Sequence, residues 1–121
     1  MWKIQSINPF NWEVNAEFEL ISREELSKKI DLAHKAFLDW KNTPNSKKKE
    51  LMLNLALVIE KHQSELAEIE TKEMWMLYHF SFAWLNKTIW LIRWFANNFE
   101  NILKVENFES NWLKIQTQYD P

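Results

Sequence analysis

Three histidines are the residues best suited to acid–base or metal chemistry in this chain of 121 residues. His34, His62 and His79 fall on three different predicted helices, and none has a second ligand three or four residues away. A helical metal site needs that spacing. His62 continues an apolar helical face, so we interpret it as a partly buried helix residue and not as a base or metal ligand. The chain has no cysteine, which excludes a disulfide, a thiolate metal site and a cysteine nucleophile within it.

Two clusters of charged residues could bind ligands. Glutamates 65 and 68 and glutamates 70 and 73 form pairs spaced by three residues, with Lys72 inside the second pair, which is typical of a solvated helix face. Lysines at positions 47 to 49 could contact phosphate, but no aromatic residue is interleaved with them. They also stand at a predicted helix start, where the macrodipole disfavours positive charge. The sequence therefore assigns no catalytic, cofactor-binding or metal-binding residue to this chain.

Length and charge exclude several classes of protein. The chain is long enough for one modest core and too short for a second domain. Its net charge of −2 gives no general positive field, so we expect no nucleic-acid partner. The uncharged apolar run Met74–Leu85 is shorter than the roughly 18 residues that a membrane span requires. Residues 1–10 lack the apolar segment of a signal peptide, so we expect a cytoplasmic protein without a membrane partner.

The patterning predicts a mainly α chain with an N-terminal β-hairpin, three helices and one C-terminal strand. Residues 1–20 form the hairpin, since polar and apolar residues alternate over 3–8 and 13–20 around a turn at Asn8–Asn11. Ser22 and Glu25 form a capping box that opens the first helix. The predicted buried stripe of this helix is Leu26, Ile30, Ala33, Phe37 and Trp40.

Two more helices complete the region 22–104. Thr43 is the predicted N-cap of the second helix, with Pro44 at its first position, and this helix ends near Met74. Its predicted apolar face is Leu51, Leu55, Val58, Ile59, His62, Leu66 and Ile69. The third helix runs from about Leu77 to Leu103, and it is apolar enough to be covered on more than one side. Residues 113–119 alternate as a single strand whose pairing partner lies elsewhere.

The chain contains no glycine and eight tryptophans. Average usage predicts about eight glycines in a chain of this length. Trp12 and Trp112 each follow an asparagine where a turn is expected, and Trp75 stands where a helix should end on glycine. We hypothesise that these three are glycine in the source organism, through a reassigned UGA codon. Trp40 and Trp94 occupy apolar helix positions and are interpreted as genuine tryptophans.

Five segments in order resemble the aldehyde dehydrogenase family, and together they span essentially the whole chain. Residues 7–14 resemble its opening I-N-P-x-x-G-E-V, with Trp12 at the glycine. Residues 33–40 resemble A-x-x-A-F-x-x-W, and residues 66–75 resemble L-A-x-L-x-T-x-E-M-G, with Trp75 at the glycine. Residues 93–96 and 119–121 resemble R-Y-Y-A and Y-x-P. The E-M-G and Y-D-P segments are most similar to the succinate-semialdehyde dehydrogenase group, although Met76 stands where the family normally continues with lysine.

The resemblance implies oxidation of an aldehyde to a carboxylate with NAD or NADP. In the family a cysteine thiolate attacks the carbonyl, hydride passes to nicotinamide, and a glutamate base assists hydrolysis of the thioester. An asparagine side chain and a backbone N–H stabilise the oxyanion. The resemblance places these groups outside residues 1–121. It makes 1–121 the N-terminal part of the cofactor-binding domain, with 113–119 a strand of the oligomerisation arm.

The sequence leaves two interpretations open, one as part of an enzyme and one as an interaction module. In the first, the chain is an N-terminal fragment of the enzyme, binds no cofactor alone, and has the remainder of the enzyme and further copies of itself as partners. In the second, it is a stand-alone helical interaction module that docks through its aromatic third helix. An open reading frame past Pro121 that encodes Leu-Gly and then Pro-Trp-Asn would favour the enzyme.

Overall fold

A computed structural model describes residues 3–119 and confirms a mainly α arrangement with small β elements. Trp2 and the Asp120-Pro121 part of the last motif lie outside the described residues. The described elements number four helices and two hairpins, not three helices and a single hairpin. In chain order they are β1 (Lys3–Ile7), β2 (Val14–Glu19), α1 (Arg23–Lys41), α2 (Asn45–Lys61), α3 (Gln63–Met74), α4 (Tyr78–Ile102), β3 (Glu106–Ser110) and β4 (Leu113–Thr117).

The N-terminal hairpin forms as the alternation predicted. Strands β1 and β2 pair antiparallel, with an irregular register between Ser6 and Ile7. Asparagine side chains order the turn, because Asn8 Oδ1 accepts the Phe10 N–H at 2.9 Å and Asn11 Oδ1 accepts the Glu13 N–H at 3.1 Å.

Helix α1 has the predicted start but not the predicted packing. The Ser22 N–H donates to Glu25 Oε2 at 2.9 Å, and the Glu25 N–H donates to Ser22 Oγ at 3.2 Å. None of its 19 residues is buried. The predicted buried stripe is therefore wrong for the described residues: Ile30 is 60% exposed, and even Phe37 is 39% exposed. The spacing is that of a buried face, but no described element packs extensively against it.

The predicted second helix is two helices. Its backbone breaks at His62, which has φ of −103° and lies between α2 and α3. The start is also shifted, because Pro44 occupies the N-cap while the Thr43 hydroxyl donates to the Asp39 carbonyl at 3.3 Å. His62 is exposed and not partly buried, since its ring points to Glu65 and not into the helix packing.

Helices α2 and α3 pack against α4 through small residues, and this contact forms the core of the described chain. The buried apolar residues are Ala56, Ala67, Ile89 and Ala96. Gln63 is buried beside them, and its Nε2 donates to the Phe82 carbonyl at 3.1 Å. Most of the apolar face predicted for the second helix remains exposed, because the small residues allow closer approach of the helices on a neighbouring face.

Helix α4 has the predicted length but is covered on one side only. Ser81, Ile89 and Ala96 are buried at spacings of eight and seven residues, which place them on one face. Phe80, Trp84 and Trp90 are more than half exposed. The expectation of cover on several sides is thus wrong for residues 3–119. No helix within that range has the length and hydropathy needed to cross a membrane.

The C-terminal strand has a partner within the chain. Strand β4 pairs antiparallel with β3, which corrects the expectation of a lone strand. The pairing is local because Asn111 and Trp112 form a two-residue turn between Ser110 and Leu113. Every residue of both strands is exposed. Strand β3 was missed because Phe108 is its only apolar residue.

The capping box at α1 predicts a pH dependence of helix content. Hydrogen bonds from the Ser22 backbone and hydroxyl hold the pKa of Glu25 below its ordinary value of 4.5. Because the pKa of Glu25 is lower in the folded chain than in the unfolded chain, its ionised carboxylate stabilises the helix at pH values above the unfolded pKa. This stabilisation is lost as the pH falls through the folded pKa. Circular dichroism should therefore show an acid-induced loss of helix that is smaller in Glu25→Gln, which keeps the capping geometry without titrating. Identical acid profiles for the two chains would contradict this role of Glu25.

Candidate functional site

The three histidines do not come together. His34 lies on α1, His62 lies between α2 and α3, and His79 lies on α4, and all three are exposed. His62 Nδ1 is 2.9 Å from Glu65 Oε2, while the rings of His34 and His79 lie near Phe37 and Phe80. Within residues 3–119, no group of three or more histidine, cysteine, aspartate or glutamate side chains could hold a metal ion.

The two charged clusters lie on the surface and use local partners. Lys47 Nζ forms an ion pair with Glu50 at 2.8 Å, and Lys48 Nζ donates to the Lys41 carbonyl at 3.3 Å. Glutamates 65, 68 and 73 are exposed, and Glu70 is half-buried. One contact of the glutamate cluster was not predicted by helix periodicity. The Ser6 hydroxyl donates to Glu73 Oε1 at 2.7 Å, and this hydrogen bond connects β1 to α3.

The N-terminal hairpin makes several side-chain contacts with the end of α3. Besides the Ser6–Glu73 bond, Asn15 Nδ2 donates to the Lys72 carbonyl at 3.2 Å. The Phe10 and Trp75 ring centroids are 5.7 Å apart. Strand alternation alone could not reveal these contacts, because they join residues that are 57 or more positions apart in sequence.

A dinucleotide site does not fit the described residues. Pyrophosphate binding of the classic kind uses a glycine-rich loop that leads into a helix N-terminus. The capping box at Ser22 already occupies the N-terminus of α1, and α3 follows directly on His62. Helices α2 and α4 start after short connections without such a loop. We therefore derive no catalytic or cofactor-binding step from this part of the chain.

Another candidate is an extensive apolar surface. A cleft of about 210 Å³ has a purely apolar lining surface, formed by Trp40, Lys48, Met52, Phe95, Ala96 and Phe99. This volume is below the range of roughly 300–1,000 Å³ that is typical of small-molecule sites. Apolar side chains on α1 and on the outer face of α4 extend the exposed surface. Large exposed apolar surface is typical of protein–protein, membrane or ligand contacts.

Comparison with known sequences places these features in a family context. The model of the aldehyde dehydrogenase family matches residues 2–121. An aldehyde dehydrogenase from Didymella fabae is 41% identical over 66 residues, which cover 54% of this chain and 13% of that protein. A lactaldehyde dehydrogenase from Methanocaldococcus jannaschii is 38% identical over 63 residues, which cover 52% of this chain and 14% of that protein. The chain thus matches only a small part of either relative.

Solved structures of longer enzymes share the arrangement of hairpins and helices. Succinic semialdehyde dehydrogenase from Streptococcus pyogenes, in complex with NADP⁺, superposes with a TM-score of 0.83 at 19% identity, over 93% of this chain and 25% of that one. Glyceraldehyde-3-phosphate dehydrogenase from Methanocaldococcus jannaschii, complexed with NADP, gives 0.79 at 26% identity, over 89% of this chain and 24% of that one.

The apolar surface predicts association of the isolated chain. A hydrophobic dye should bind it, and sedimentation should detect species larger than a monomer. Ile30→Ser with Phe37→Ser removes two exposed apolar groups from α1 and should reduce both signals. Lys28→Ser with Lys35→Ser changes the same helix at exposed polar positions and serves as the matched control. A monomeric, cooperatively folded chain that binds no dye would contradict this interpretation and favour a self-contained module.

Proposed function

The chain belongs to the aldehyde dehydrogenase family, and we propose that it forms part of an enzyme that oxidises an aldehyde to a carboxylic acid with NAD or NADP. The observation that carries this proposal is the family match over residues 2–121. The fold supports it, because the hairpin, helices and second hairpin superpose on longer aldehyde dehydrogenases over about nine-tenths of the described chain. The complexes of those two enzymes with NADP support a nicotinamide cofactor.

The catalytic groups of this proposal belong to segments outside residues 1–121. The chain has no cysteine, so it cannot supply the thiolate that the resemblance implies. Its described residues also contain no glycine-rich loop that could bind a dinucleotide. We therefore assign this segment a structural part in the cofactor-binding domain of a cytoplasmic enzyme, where its helices pack against the remainder of the protein. The exposed apolar faces of α1 and α4 fit that role.

We further propose that residues 113–119 contribute to an oligomerisation arm. Both strands of the β3–β4 hairpin are exposed throughout, and a two-stranded sheet leaves each strand with an unpaired edge. Unpaired strand edges are templates for pairing with another strand. A second copy of the enzyme would supply that strand in a homo-oligomer.

The proposed substrate is a semialdehyde, with succinate semialdehyde as the specific candidate. Its support is the resemblance of residues 73–75 and 119–121 to the succinate-semialdehyde dehydrogenase group. Relatives with other activities, such as the lactaldehyde dehydrogenase, make a substrate panel the decisive measurement. The full reading frame should be expressed and compared on succinate semialdehyde, malonate semialdehyde and lactaldehyde. A kcat/KM that is highest for lactaldehyde would contradict the semialdehyde assignment and leave the family assignment intact.

The absence of cysteine gives a direct prediction of activity. The 121-residue chain alone should produce no aldehyde-dependent reduction of NAD or NADP, whereas the full reading frame should produce it and lose it after thiol alkylation. The absorbance of the reduced nicotinamide cofactor measures the activity of both proteins. Turnover by a clean preparation of the 121-residue chain, insensitive to thiol reagents, would show that the proposed chemistry is wrong.

A further inference from the structure

Two tryptophans hold backbone angles that favour glycine. The dihedral φ is 62° at Trp12 and 54° at Trp75, and within residues 3–119 no other residue has a positive φ. In this left-handed region the Cβ atom comes too close to the backbone carbonyl oxygen, so residues with side chains avoid it. Glycine has no Cβ atom and adopts these angles freely. Tryptophan is among the residues least suited to them.

The hairpin turn requires the left-handed angle at position 12. The Trp12 N–H donates to the Asn8 carbonyl at 2.8 Å, and the Asn8 N–H donates to the Glu13 carbonyl at 2.8 Å. These two bonds close the turn and direct the chain into β2. Hairpin loops of this length usually end on a left-handed residue, and that residue is usually glycine. The strand pairing therefore determines the backbone at position 12, independently of the side chain.

The end of α3 requires the same angle at position 75. The Trp75 N–H donates to the Thr71 carbonyl at 3.0 Å, while the backbone has φ of 54° and ψ of 29°. A left-handed residue in this place satisfies a free helix carbonyl and turns the chain away from the helix axis, and glycine is its usual occupant. Here the turn leads through Leu77 into α4.

The indoles at these two positions gain little from the fold. Trp12 is 79% exposed and Trp75 is 63% exposed. By contrast, Trp40 and Trp94 lie inside α1 and α4, where glycine would weaken the helix. Lys48 Nζ lies 5.8 Å from the Trp40 ring centroid, and the Trp94 ring packs edge-on against Phe95. The structure thus separates two strained tryptophans from two that suit their positions.

From these angles we infer that positions 12 and 75 are glycine in the protein that the source organism makes. UGA codons there are decoded as glycine, while UGG codons specify the tryptophans at 40 and 94. The absence of glycine from all 121 residues, together with eight tryptophans, fits such a reassignment. The inference does not extend to Trp112, whose φ is not positive. It rests on backbone geometry and composition, and it stands apart from the proposed enzymatic function.

The coding DNA and the natural protein test this inference without any need to refold the chain. Codons 12 and 75 should be UGA, and codons 40 and 94 should be UGG. Peptide masses from natural material should show glycine at 12 and 75 and tryptophan at 40 and 94. A UGG codon or a tryptophan mass at 12 or at 75 would overturn the inference, and so would glycine at 40 or 94.

Paired variants test the structural reason. Trp12→Gly with Trp75→Gly should raise the melting temperature of the chain by about 5 °C or more, because two strained positions are relieved. Trp40→Gly with Trp94→Gly should lower it, since those changes introduce glycine into the last turn of α1 and the interior of α4. A lower melting temperature for the 12/75 pair than for the unchanged chain would show that the left-handed angles do not demand glycine.

Discussion

The close approach of α4 to α2 and α3 holds the described chain together, and it depends on small side chains. Ala56 and Ala67 are fully buried on one side of this contact, and Ser81 and Ala96 are buried on α4. Small residues let two helices pack at short interaxial distance, where many weak dispersion contacts add up. The ion pair between Arg93 and Glu60 spans the edge of the same contact at 2.7 Å. Because this ion pair is exposed, it contributes little to stability compared with the helix packing.

Everything outside this helix contact is attached less firmly or faces outward. The N-terminal hairpin is joined to α3 by two side-chain hydrogen bonds, from Ser6 and Asn15. Helix α1 carries a regular apolar stripe that the described elements leave largely exposed. Burial of apolar surface is the main favourable term in folding, so side chains in such a stripe stabilise a protein only when something covers them. Cover of this stripe by further protein is what the proposed function expects.

Local chemistry in the sequence predicted the element boundaries where a side chain determines them. Ser22 and Glu25 fixed the start of α1, and Asn8 and Asn11 fixed the first turn. The sequence did not predict the break between α2 and α3 at His62, because no proline, glycine or side-chain cap marks it. Only the backbone angles show it. The sequence could not predict whether the α1 stripe is buried. Amphipathic spacing shows that a helix face is suited to burial, but it does not show what covers that face. The candidate site shows the same limit: the absence of cysteine excluded a thiolate metal site and a cysteine nucleophile, but only the fold brought Ser6 to Glu73.

One left-handed residue, Trp12, closes the turn of the hairpin, and the other, Trp75, ends the helix that the hairpin contacts. A left-handed residue with a side chain costs about 1–2 kcal/mol. The Phe10–Trp75 ring pair could return about 0.5–1.5 kcal/mol, and less in practice because Trp75 is 63% exposed. At position 12 the indole is 79% exposed, so its burial offsets little of the strain. The strain therefore exceeds what the two indoles contribute. The strain at position 12 therefore weakens the hairpin turn, and the strain at position 75 weakens the helix end that packs against Phe10.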